Sequence, residues 1–210
     1  LPGWAYHSPA FLALEKAELF ARHWQIVCHV SDLPEPGSWV ALDIGDDRAL
    51  VIRGQDGVIR AMHNLCRHRG ARVASGADGN CRNALVCPFH GWVYNLDGTL
   101  RGPARPKTFE ADLDRSQYGL KPMESEIWNG FVFVRCRPGP QGSVAETFAP
   151  FAADFADYRL DDLAATGPAW TSEIAVNWKS VRDVDNEGYH VAMAHPGLQD
   201  LYGPNYRDLY

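Results

Sequence analysis

Apolar and polar positions follow two different periods along this chain, a helical one near the N-terminus and a two-residue one in the middle. The helical stretch opens with Ser8-Pro9, a serine that can cap a helix and a proline suited to its first turn. Apolar residues then recur at helical spacing as far as Trp24. The pattern predicts a helix from Ser8 to about Trp24.

From Ser38 the period changes to two, and such alternation is typical of strands with one buried face. The segments "WVALDI", "ALVIR" and "VIRAMH" predict strands, with a tight turn at "GQDG" between the last two. Further hairpins are predicted in "LVCPFHGWVYNLDGTL", turning at residues 95–98, and in "IWNGFVFVRC", turning at Asn129-Gly130. Residues 38–140 are therefore predicted to form a small antiparallel β domain.

The segment "RPGPQGS", residues 137–143, is typical of a linker, and the chain beyond it has a different pattern. There "ETFAPFAADFADY" predicts a helix, "TSEIAV" a strand, and "NWKSVRDVDNEGYHVAMAHP" a long helix that ends before Pro196. The predicted fold class is α+β. It comprises an N-terminal helical segment at 1–37, the β domain at 38–140 and a second domain over 141–210.

Composition narrows the possible functions. The net charge of −6 argues against a nucleic-acid-binding face, which is basic. No stretch approaches the roughly 18 apolar residues of a membrane span, and the N-terminus lacks the features of a signal peptide. The five cysteines are not spaced as a disulfide framework, so we expect a cytoplasmic protein without membrane or nucleic-acid partners. In a reducing compartment, paired cysteines indicate a metal more often than a disulfide.

Two Cys/His pairs lie in predicted loops of the β domain, Cys66-x-His68 and Cys87-x-x-His90. Structural zinc accepts two thiolates and two imidazoles, but its usual spacing keeps Cys with Cys and His with His. Chance is a second explanation, with buried cysteines and surface histidines that happen to alternate. The third is a Rieske [2Fe–2S] centre, in which two cysteines bind one iron and two histidines bind the other. The alternating order favours the third explanation, because each loop then supplies one ligand to each iron.

The stretch "CRHRGARV" followed by "CPFHGWVYNLDGTL" closely resembles the Rieske domain of ring-hydroxylating oxygenase α subunits. The upstream stretch "LFARHWQIVCHVSDLPEPGSWV" resembles the segment that leads into that domain in the same family. Respiratory Rieske proteins carry two further cysteines in these loops. This chain has Ala71 and Phe89 there, so the resemblance is to the oxygenase or ferredoxin type. Trp92 replaces a hydroxyl donor of the respiratory type, which predicts a lower reduction potential. Cys28 and Cys136 are predicted to be plain buried residues.

A second motif separates an oxygenase from a ferredoxin-like carrier, for which the β domain alone would suffice. "NWKSVRDVDNEGYHVAMAHP" resembles the family's mononuclear-iron motif, which implies that His190 and His195 bind non-haem iron. Five residues span about 140° of an ideal helix, so the two histidines can share one iron only if the helix widens or ends between them. The resemblance gives Glu187 the role of an inter-subunit electron relay, joining His190 to His90 of the partner subunit. Without the resemblance, the simpler interpretation of His190 and His195 would be two histidines on an amphipathic helix. Glu187 would then be one half of a surface ion pair.

These resemblances imply a Rieske [2Fe–2S] domain followed by the beginning of a helix-grip (START-like) catalytic domain, against which residues 1–37 pack. The implied enzyme uses O₂ and electrons that a reductase or ferredoxin draws from NAD(P)H to hydroxylate an aromatic or other small organic substrate. An oxidative N-demethylase of a quaternary ammonium compound is the alternative within the family. A ferredoxin-like electron carrier is the alternative from another class. The family implies a homotrimer or an α3β3 assembly.

The chain departs from the family pattern at the iron site. Val184 stands where many family members have an asparagine. The third ligand of the family is a carboxylate far downstream, which neither Asp200 nor Asp208 matches. We therefore expect that ligand outside this chain, and a 210-residue chain that holds a cluster but little mononuclear iron. Three tyrosines at helical spacing predict either core packing or an aromatic wall suited to a quaternary ammonium group. They are Tyr202, Tyr206 and Tyr210.

Overall fold

The computed structural model describes residues 1–105, 113–167 and 171–203, and all statements on structure refer to these ranges. The strands are β1 (Gln25–His29), β2 (Ser38–Ile44), β3 (Asp47–Arg53), β4 (Ile59–His63), β5 (Asp78–Asn80), β6 (Leu85–Val86), β7 (Val93–Tyr94), β8 (Leu100–Gly102), β9 (Glu124–Trp128) and β10 (Phe131–Arg135). The helices are α1 (Trp4–His7), α2 (Pro9–Leu14), α3 (Val144–Phe148), α4 (Ala152–Phe155), α5 (Trp178–Asp185), α6 (Val191–Ala194) and α7 (Pro196–Tyr202). This α+β composition confirms the predicted class. No helix among the described residues is long and apolar enough to cross a membrane.

The chain forms two compact units. The β unit is Ala13–Pro168, and the helical unit comprises Leu1–Leu12 and Ala169–Tyr210. The predicted domain boundaries at residues 37 and 140 thus differ from the limits of the compact units, and the domain division stays a prediction.

The β unit contains three antiparallel sheets, with strand orders β1-β10-β9, β4-β3-β2-β5 and β6-β7-β8. β3 is buried on both faces, because Leu50 and Ile52 enter one apolar core while Ala49 and Val51 enter the other. Its continuous apolar run agrees with this double burial. The first of these cores also contains Cys66 and Cys87, so the two cysteine loops are anchored in packed side chains.

The predicted turns of the β unit are confirmed. The "GQDG" turn closes with the Gly54 N–H donating to the Val58 carbonyl oxygen at 2.8 Å. Asn129 and Gly130 both have positive φ, 47° and 79°, the conformation that an Asn-Gly hairpin turn requires. It joins β9 to β10 in register, with Trp128 opposite Phe131.

The N-terminal helix begins as predicted but does not continue to Trp24. The Ser8 hydroxyl oxygen accepts the Phe11 N–H at 3.3 Å, which confirms the predicted cap. The α-helix ends at Leu14, and Glu15–Phe20 continue as a wider π-helix. The chain then enters β1, a strand missing from the sequence prediction, which pairs with β10 more than a hundred residues later.

The helical unit differs from the prediction in two places. Residues 171–176 form no strand, so that prediction is wrong. The single helix predicted up to Pro196 is instead three helices. α5 is capped by the Asn177 side chain, which accepts the Lys179 N–H at 3.0 Å, and residues 186–190 break the helix before α6. Pro196 does not end the helical region but starts α7, since its missing N–H has no partner to lose in a first turn.

Lys179 connects the N-terminal residues of the helical unit to α5. Its side chain is buried, and its Nζ lies 5.2 to 5.8 Å from the ring centres of three aromatic side chains. These are Tyr6, Phe11 and Trp178. A desolvated ammonium among aromatic faces is stabilised by cation–π attraction, which holds α5 in place in front of the predicted iron ligands.

Candidate metal centres

Two loops of the β unit have the same backbone geometry around their cysteines. In each, the cysteine N–H donates at 2.8 Å to the carbonyl oxygen of the residue five positions later, Ala71 for Cys66 and Trp92 for Cys87. In each, a glycine four positions after the cysteine donates back to the cysteine carbonyl oxygen at 2.9 Å. The two loops are therefore equivalent turns, as expected for two halves of one binding site.

Position 91 requires glycine more strictly than position 70. Both glycines have positive φ, 70° at Gly70 and 67° at Gly91. A Cβ added at Gly91 would lie 2.9 Å from the Ala104 Cβ, whereas a Cβ added at Gly70 would have no atom within 4 Å.

We expect Gly70→Ala to lower the free energy of unfolding by about 1 kcal/mol, the cost of left-handed backbone. Gly91→Ala should cost ~1 kcal/mol more because of the added clash. Denaturant unfolding of both variants measures the difference, and equal losses would show that Ala104 moves aside freely.

The four predicted cluster ligands come together in two layers. Cys66 and Cys87 are buried, 3% and 2% exposed, and both pack in the first core of the β unit. His68 and His90 lie nearer the surface, with ring centroids 4.6 Å apart at an angle of 74°. Thiols inside and imidazoles outside give two pairs of unlike donors, which is the arrangement that a two-iron centre with mixed ligands needs.

Tyr94 supplies a polar contact to this site that the sequence prediction missed. The side chain is fully buried, and its hydroxyl oxygen accepts the Arg67 N–H at 3.0 Å. The same hydroxyl lies 3.2 Å from the Cys66 sulfur. Because the oxygen already accepts one hydrogen bond, its proton is available to the sulfur. A buried tyrosine usually has a hydrogen-bond partner for its hydroxyl, so the presence of a tyrosine here was the sequence signal for this contact.

Trp92 stacks on a predicted ligand. Its ring lies parallel to the His68 imidazole, with centroids 5.1 Å apart and an interplanar angle of 5°. On the sequence alone, Trp92 was interpreted as the loss of a hydroxyl donor. Tyr94, two residues later in the chain, places a hydroxyl next to the Cys66 sulfur. The lower reduction potential expected from the donor lost at position 92 stays a prediction.

The second predicted site lies in the helical unit, beyond the break after α5. In the turn 186–190, Glu187 Oε1 lies 2.7 Å from His190 Nδ1, and Glu187 Oε2 accepts the His190 N–H at 3.2 Å. His195 follows one turn later, at the end of α6. The His190 and His195 ring centroids are 5.3 Å apart at an angle of 79°. α6 ends at Ala194, and His195 already has non-helical backbone angles, φ −131° and ψ 59°, so the spacing problem of one straight helix does not arise.

Glu187 fixes the orientation of the His190 ring. Desolvation raises the pKa of Glu187, but hydrogen bonds from the His190 side chain and N–H outweigh it and lower the pKa below the usual range. The group is therefore a carboxylate that accepts the proton on Nδ1. This leaves the Nε2 lone pair of His190 as the donor for a metal.

A pocket of about 720 Å³ borders these residues within the helical unit. Its polar lining includes the side chains of His190, His195, Glu187 and Asp185. Six aliphatic residues also line it, among them Val184, which departs from the family pattern. The aliphatic lining residues are Ile174, Val176, Val181, Val184, Val191 and Leu198. The pocket can accept an apolar or methylated group next to the two histidines.

Comparisons with known proteins match both regions of the chain that contain the candidate sites. The family profile described as the Rieske [2Fe-2S] domain matches residues 23–114, and the profile described as the ring hydroxylating alpha subunit (catalytic domain) matches residues 160–207. The chain belongs to the Rieske oxygenase α subunits. The Rieske oxygenase profiles imply a Rieske cluster together with a mononuclear non-haem iron.

Characterised Rieske oxygenase subunits are similar over most of this chain. The glycine betaine monooxygenase oxygenase subunit of Chromohalobacter salexigens is 36% identical over 94% of this chain and 43% of its own length. The anthranilate 1,2-dioxygenase large subunit of Acinetobacter baylyi is 34% identical over 90% of this chain and 41% of its own length. A crystal structure of a quaternary ammonium Rieske monooxygenase with L-carnitine superimposes with a TM-score of 0.82 at 31% identity, covering 94% of this chain and 55% of that one. The chain thus spans about half the length of these relatives.

The side chains of the β unit fit a Rieske cluster. His68 Nδ1 is buried and has no hydrogen-bond partner among the described residues, which is rare for a buried ring nitrogen unless a bound group satisfies it. Burial is the main cause that raises the pKa of the Cys66 thiol, although hydrogen bonds from Tyr94 and the His68 backbone oppose it. A thiolate at this depth needs a nearby cation, and a bound metal supplies one.

The other buried cysteines do not belong to this site. Cys28 and Cys136 lie in the second core of the β unit. Burial raises the pKa of the Cys28 thiol to about 12 and that of Cys136 to about 11, with nearby acidic charge contributing. Both are therefore neutral thiols, which confirms the prediction of plain buried residues.

In the helical unit the structure brings the two predicted iron ligands, His190 and His195, close together. No three His, Cys, Asp or Glu side chains converge on one metal position anywhere in residues 1–105, 113–167 and 171–203. Asp200 is exposed on α7. Asp208, Tyr206, Tyr210 and the side chain of Tyr202 lie outside the described residues, so the predictions made for them stay predictions.

Proposed function

We propose that this chain carries the two redox sites of a Rieske oxygenase that attacks a C–H bond next to a quaternary ammonium nitrogen. In this proposal Cys66 and Cys87 bind one iron of the [2Fe–2S] cluster, and His68 and His90 bind the other. The observation that supports the assignment most strongly is the pair of equivalent loops, which bring two thiols and two imidazoles to one place. The alternating order of Cys and His in the two pairs disfavours structural zinc.

His190 and His195 are proposed to hold the mononuclear non-haem iron, which activates O₂ when it is bound. Support comes from their nearly perpendicular rings and from the Nε2 of His190 that Glu187 leaves available. Iron sites of this class add one carboxylate to two histidines. We propose that this third ligand comes from outside the 210 residues, because no described carboxylate lies near both rings.

Glu187 is proposed to relay electrons between subunits by accepting a second hydrogen bond, from His90 of the partner subunit. Its side chain is 39% exposed, so a carboxylate oxygen that already binds His190 is also accessible from outside the chain. Electrons would come from a reductase or ferredoxin that uses NAD(P)H, and the assembly would be a homotrimer or α3β3. We also propose a cytoplasmic location, because the five cysteines are not spaced as a disulfide framework.

The pocket beside the iron histidines suggests the class of substrate. Its aliphatic wall suits methyl groups, while Asp185 and Glu187 suit a positive charge. Two of the similar proteins act on such compounds by name, glycine betaine and L-carnitine. A ferredoxin-like carrier would need neither the pocket nor Glu187, so that alternative is less well supported.

Hydroxylation of an aromatic acid is the second candidate. The anthranilate 1,2-dioxygenase relative supports it, since its identity to this chain is almost as high as that of the glycine betaine enzyme. An aliphatic pocket wall also accepts the edge of an aromatic ring.

The experiment that separates these candidates measures O₂ uptake and formaldehyde release. The full enzyme, its reductase and NADH are incubated with trimethylammonium compounds and with aromatic acids. Formaldehyde formed in equal amount to the O₂ consumed, with trimethylammonium compounds only, is the expected result. O₂ uptake with aromatic acids alone would select the second candidate, and no uptake with either class would reject both.

Replacing Tyr94 tests the hydrogen bond to the cluster ligand. Tyr94→Phe removes the hydroxyl proton from Cys66, so the sulfur carries more negative charge and the reduced cluster is less stable. We expect the reduction potential to fall by about 50 mV, since a hydrogen bond is worth roughly 1 kcal/mol and 59 mV corresponds to a tenfold change for one electron. Protein-film voltammetry measures it. Tyr118→Phe is the matched control, because Tyr118 contacts Trp92 but not a predicted ligand. Equal potentials in both variants would contradict the assignment.

A further inference from the structure

Tyr6, in the N-terminal segment of the helical unit, contacts α5 at two positions that the proposed function does not use. Its hydroxyl donates a hydrogen bond to Asp183 Oδ2, and its ring centre lies 5.8 Å from the Lys179 Nζ. Lys179 and Asp183 are four residues apart, so they lie on one face of the helix, about one turn from each other. One tyrosine side chain therefore bridges two successive turns of α5.

The hydrogen bond at Asp183 compensates for an unfavourable position of this carboxylate. α5 ends at Asp185, and Asp183 lies in its last turn. Carbonyl groups at the end of a helix carry partial negative charge, which disfavours a carboxylate there. The hydrogen bond to Asp183 is the main cause that raises the pKa of the Tyr6 hydroxyl above its usual value. The hydroxyl is therefore protonated at neutral pH and stabilises the carboxylate as a donor.

The N-terminal segment is itself packed, so it can act as a support. Ala5, next to Tyr6 in α1, is 2% exposed. Trp4 packs edge-to-face on Phe11 of α2, with ring centroids 5.0 Å apart at an angle of 77°. The Phe11 ring also lies 5.3 Å from the Lys179 Nζ. Both short helices of the segment thus contribute an aromatic ring to the contact with α5.

The face of α5 that Tyr6 contacts lies opposite the face that lines the pocket. In an ideal helix the pocket-lining residues lie about 150° around the axis from the two contact positions. They are Ser180, Val181, Val184 and Asp185. The turn 186–190, which holds Glu187 and His190, follows directly after the supported end of the helix. A shift of this end would therefore move the pocket wall and both of these residues together.

We propose that Tyr6 is a positioning residue for the iron site: its hydrogen bond to Asp183 fixes the end of α5 and so sets where the following turn holds Glu187 and His190. Tyr6 precedes Asp183 by 177 residues and acts through α5 rather than on the reacting atoms. The proposal rests on the proposed function for the identity of the iron ligand. It adds the contact that controls the ligand's position.

Tyr6→Phe in the full-length, cluster-loaded enzyme removes the hydroxyl and keeps the ring. We expect the mononuclear site to bind Fe(II) about tenfold more weakly and kcat to fall about tenfold, as for other residues that orient metal ligands. The KM for the electron donor and the cluster EPR signal should be unchanged, because the β unit is not altered. Fe(II) titration after chelation of the mononuclear iron and steady-state O₂ uptake measure the two losses. Tyr158→Phe, an exposed tyrosine of the β unit, is the matched control.

Changes at Asp183 test whether the hydrogen bond carries the effect. Asp183→Ala should lose as much as Tyr6→Phe, and the double variant should lose no more than either change alone, because both remove the same contact. Asp183→Asn keeps an oxygen that can accept the Tyr6 proton and should retain most of the Fe(II) affinity and of kcat. Additive losses in the double variant, or equal losses in Asp183→Asn and Asp183→Ala, would overturn the proposal.

Thermal unfolding separates positioning from a loss of folded protein. A lower Tm in Tyr6→Phe, with Fe(II) affinity and kcat unchanged per folded enzyme, would show a purely structural role and reject the proposal. If Tyr6→Phe does not fold, Asp183→Ala and Asp183→Asn make the same comparison from the side of α5. Normal Fe(II) binding and turnover in every variant would reject the role of Tyr6 and leave the proposed function standing. An unchanged enzyme that binds no mononuclear iron would reject the proposed iron site, and the role of Tyr6 with it.

Discussion

Replacing Cys87 with serine is expected to remove the iron–sulfur cluster completely. Cys87 is 2% exposed and packs in the same core as Cys66, so no other thiol or water can take its place on an iron. A serine hydroxyl stays protonated at neutral pH and is a poor ligand for iron, whereas a thiolate is a good one. The visible absorption and the acid-labile sulfide of the purified protein should both disappear.

Cys81→Ser is the matched control for that change. Cys81 lies six residues before Cys87 and is partly buried beside the same core, and its thiol donates a hydrogen bond to the Gly37 carbonyl oxygen at 3.5 Å. A cluster that survives Cys87→Ser, or is lost equally in Cys81→Ser, would contradict the ligand assignment.

Glu187→Gln is expected to lower turnover by about 100-fold or more while both metal sites stay loaded. The amide has nearly the same shape, but it lacks the charge that holds His190 Nδ1–H and would hold a second imidazole. Steady-state O₂ consumption with substrate and reductase measures the effect. Cluster reduction by dithionite should be unchanged. Glu173→Gln, an exposed glutamate of the same unit, is the control. Turnover at the unchanged rate would remove Glu187 from electron transfer.

Mixed oligomers test whether the relay crosses between subunits. A copy with His190→Ala keeps its cluster but loses the iron site, and a copy with Cys87→Ser keeps the iron site but loses its cluster. If electrons pass from one copy to the next, the mixture should regain part of the activity that each variant lacks alone. A verified mixed oligomer without activity would indicate a path within one chain.

The sequence predicted the β unit well because its signals are local. Alternation at two residues identified β2, β3 and β4, and Asn129-Gly130 specified a hairpin whose φ values glycine and asparagine tolerate. β1 was missed because its stability comes from pairing with β10, and no local pattern reports a partner so distant in sequence. The segment 171–176 shows the opposite error, since its isoleucine and valine favour a strand only where a neighbouring strand is present.

Candidate site residues could be selected from the sequence where their type and spacing indicated a chemistry. Cys66, His68, Cys87 and His90 could be chosen from the alternating order alone. The break between α5 and α6 could not be predicted from the sequence. It depends on the Glu187 carboxylate, which accepts the His190 N–H as a helix cap would. Tyr94 was missed because its hydroxyl reaches Cys66 only through the packing of separate strands and loops.

The most direct test of the central claim is the EPR spectrum of the reduced protein, recorded with iron and acid-labile sulfide analysis of the same sample. The account predicts the low average g value of a cluster with mixed nitrogen and sulfur ligands, from Cys66, His68, Cys87 and His90. It also predicts equal amounts of cluster iron and sulfide. Stoichiometric zinc without sulfide, or the spectrum of a cluster ligated by sulfur alone, would contradict it.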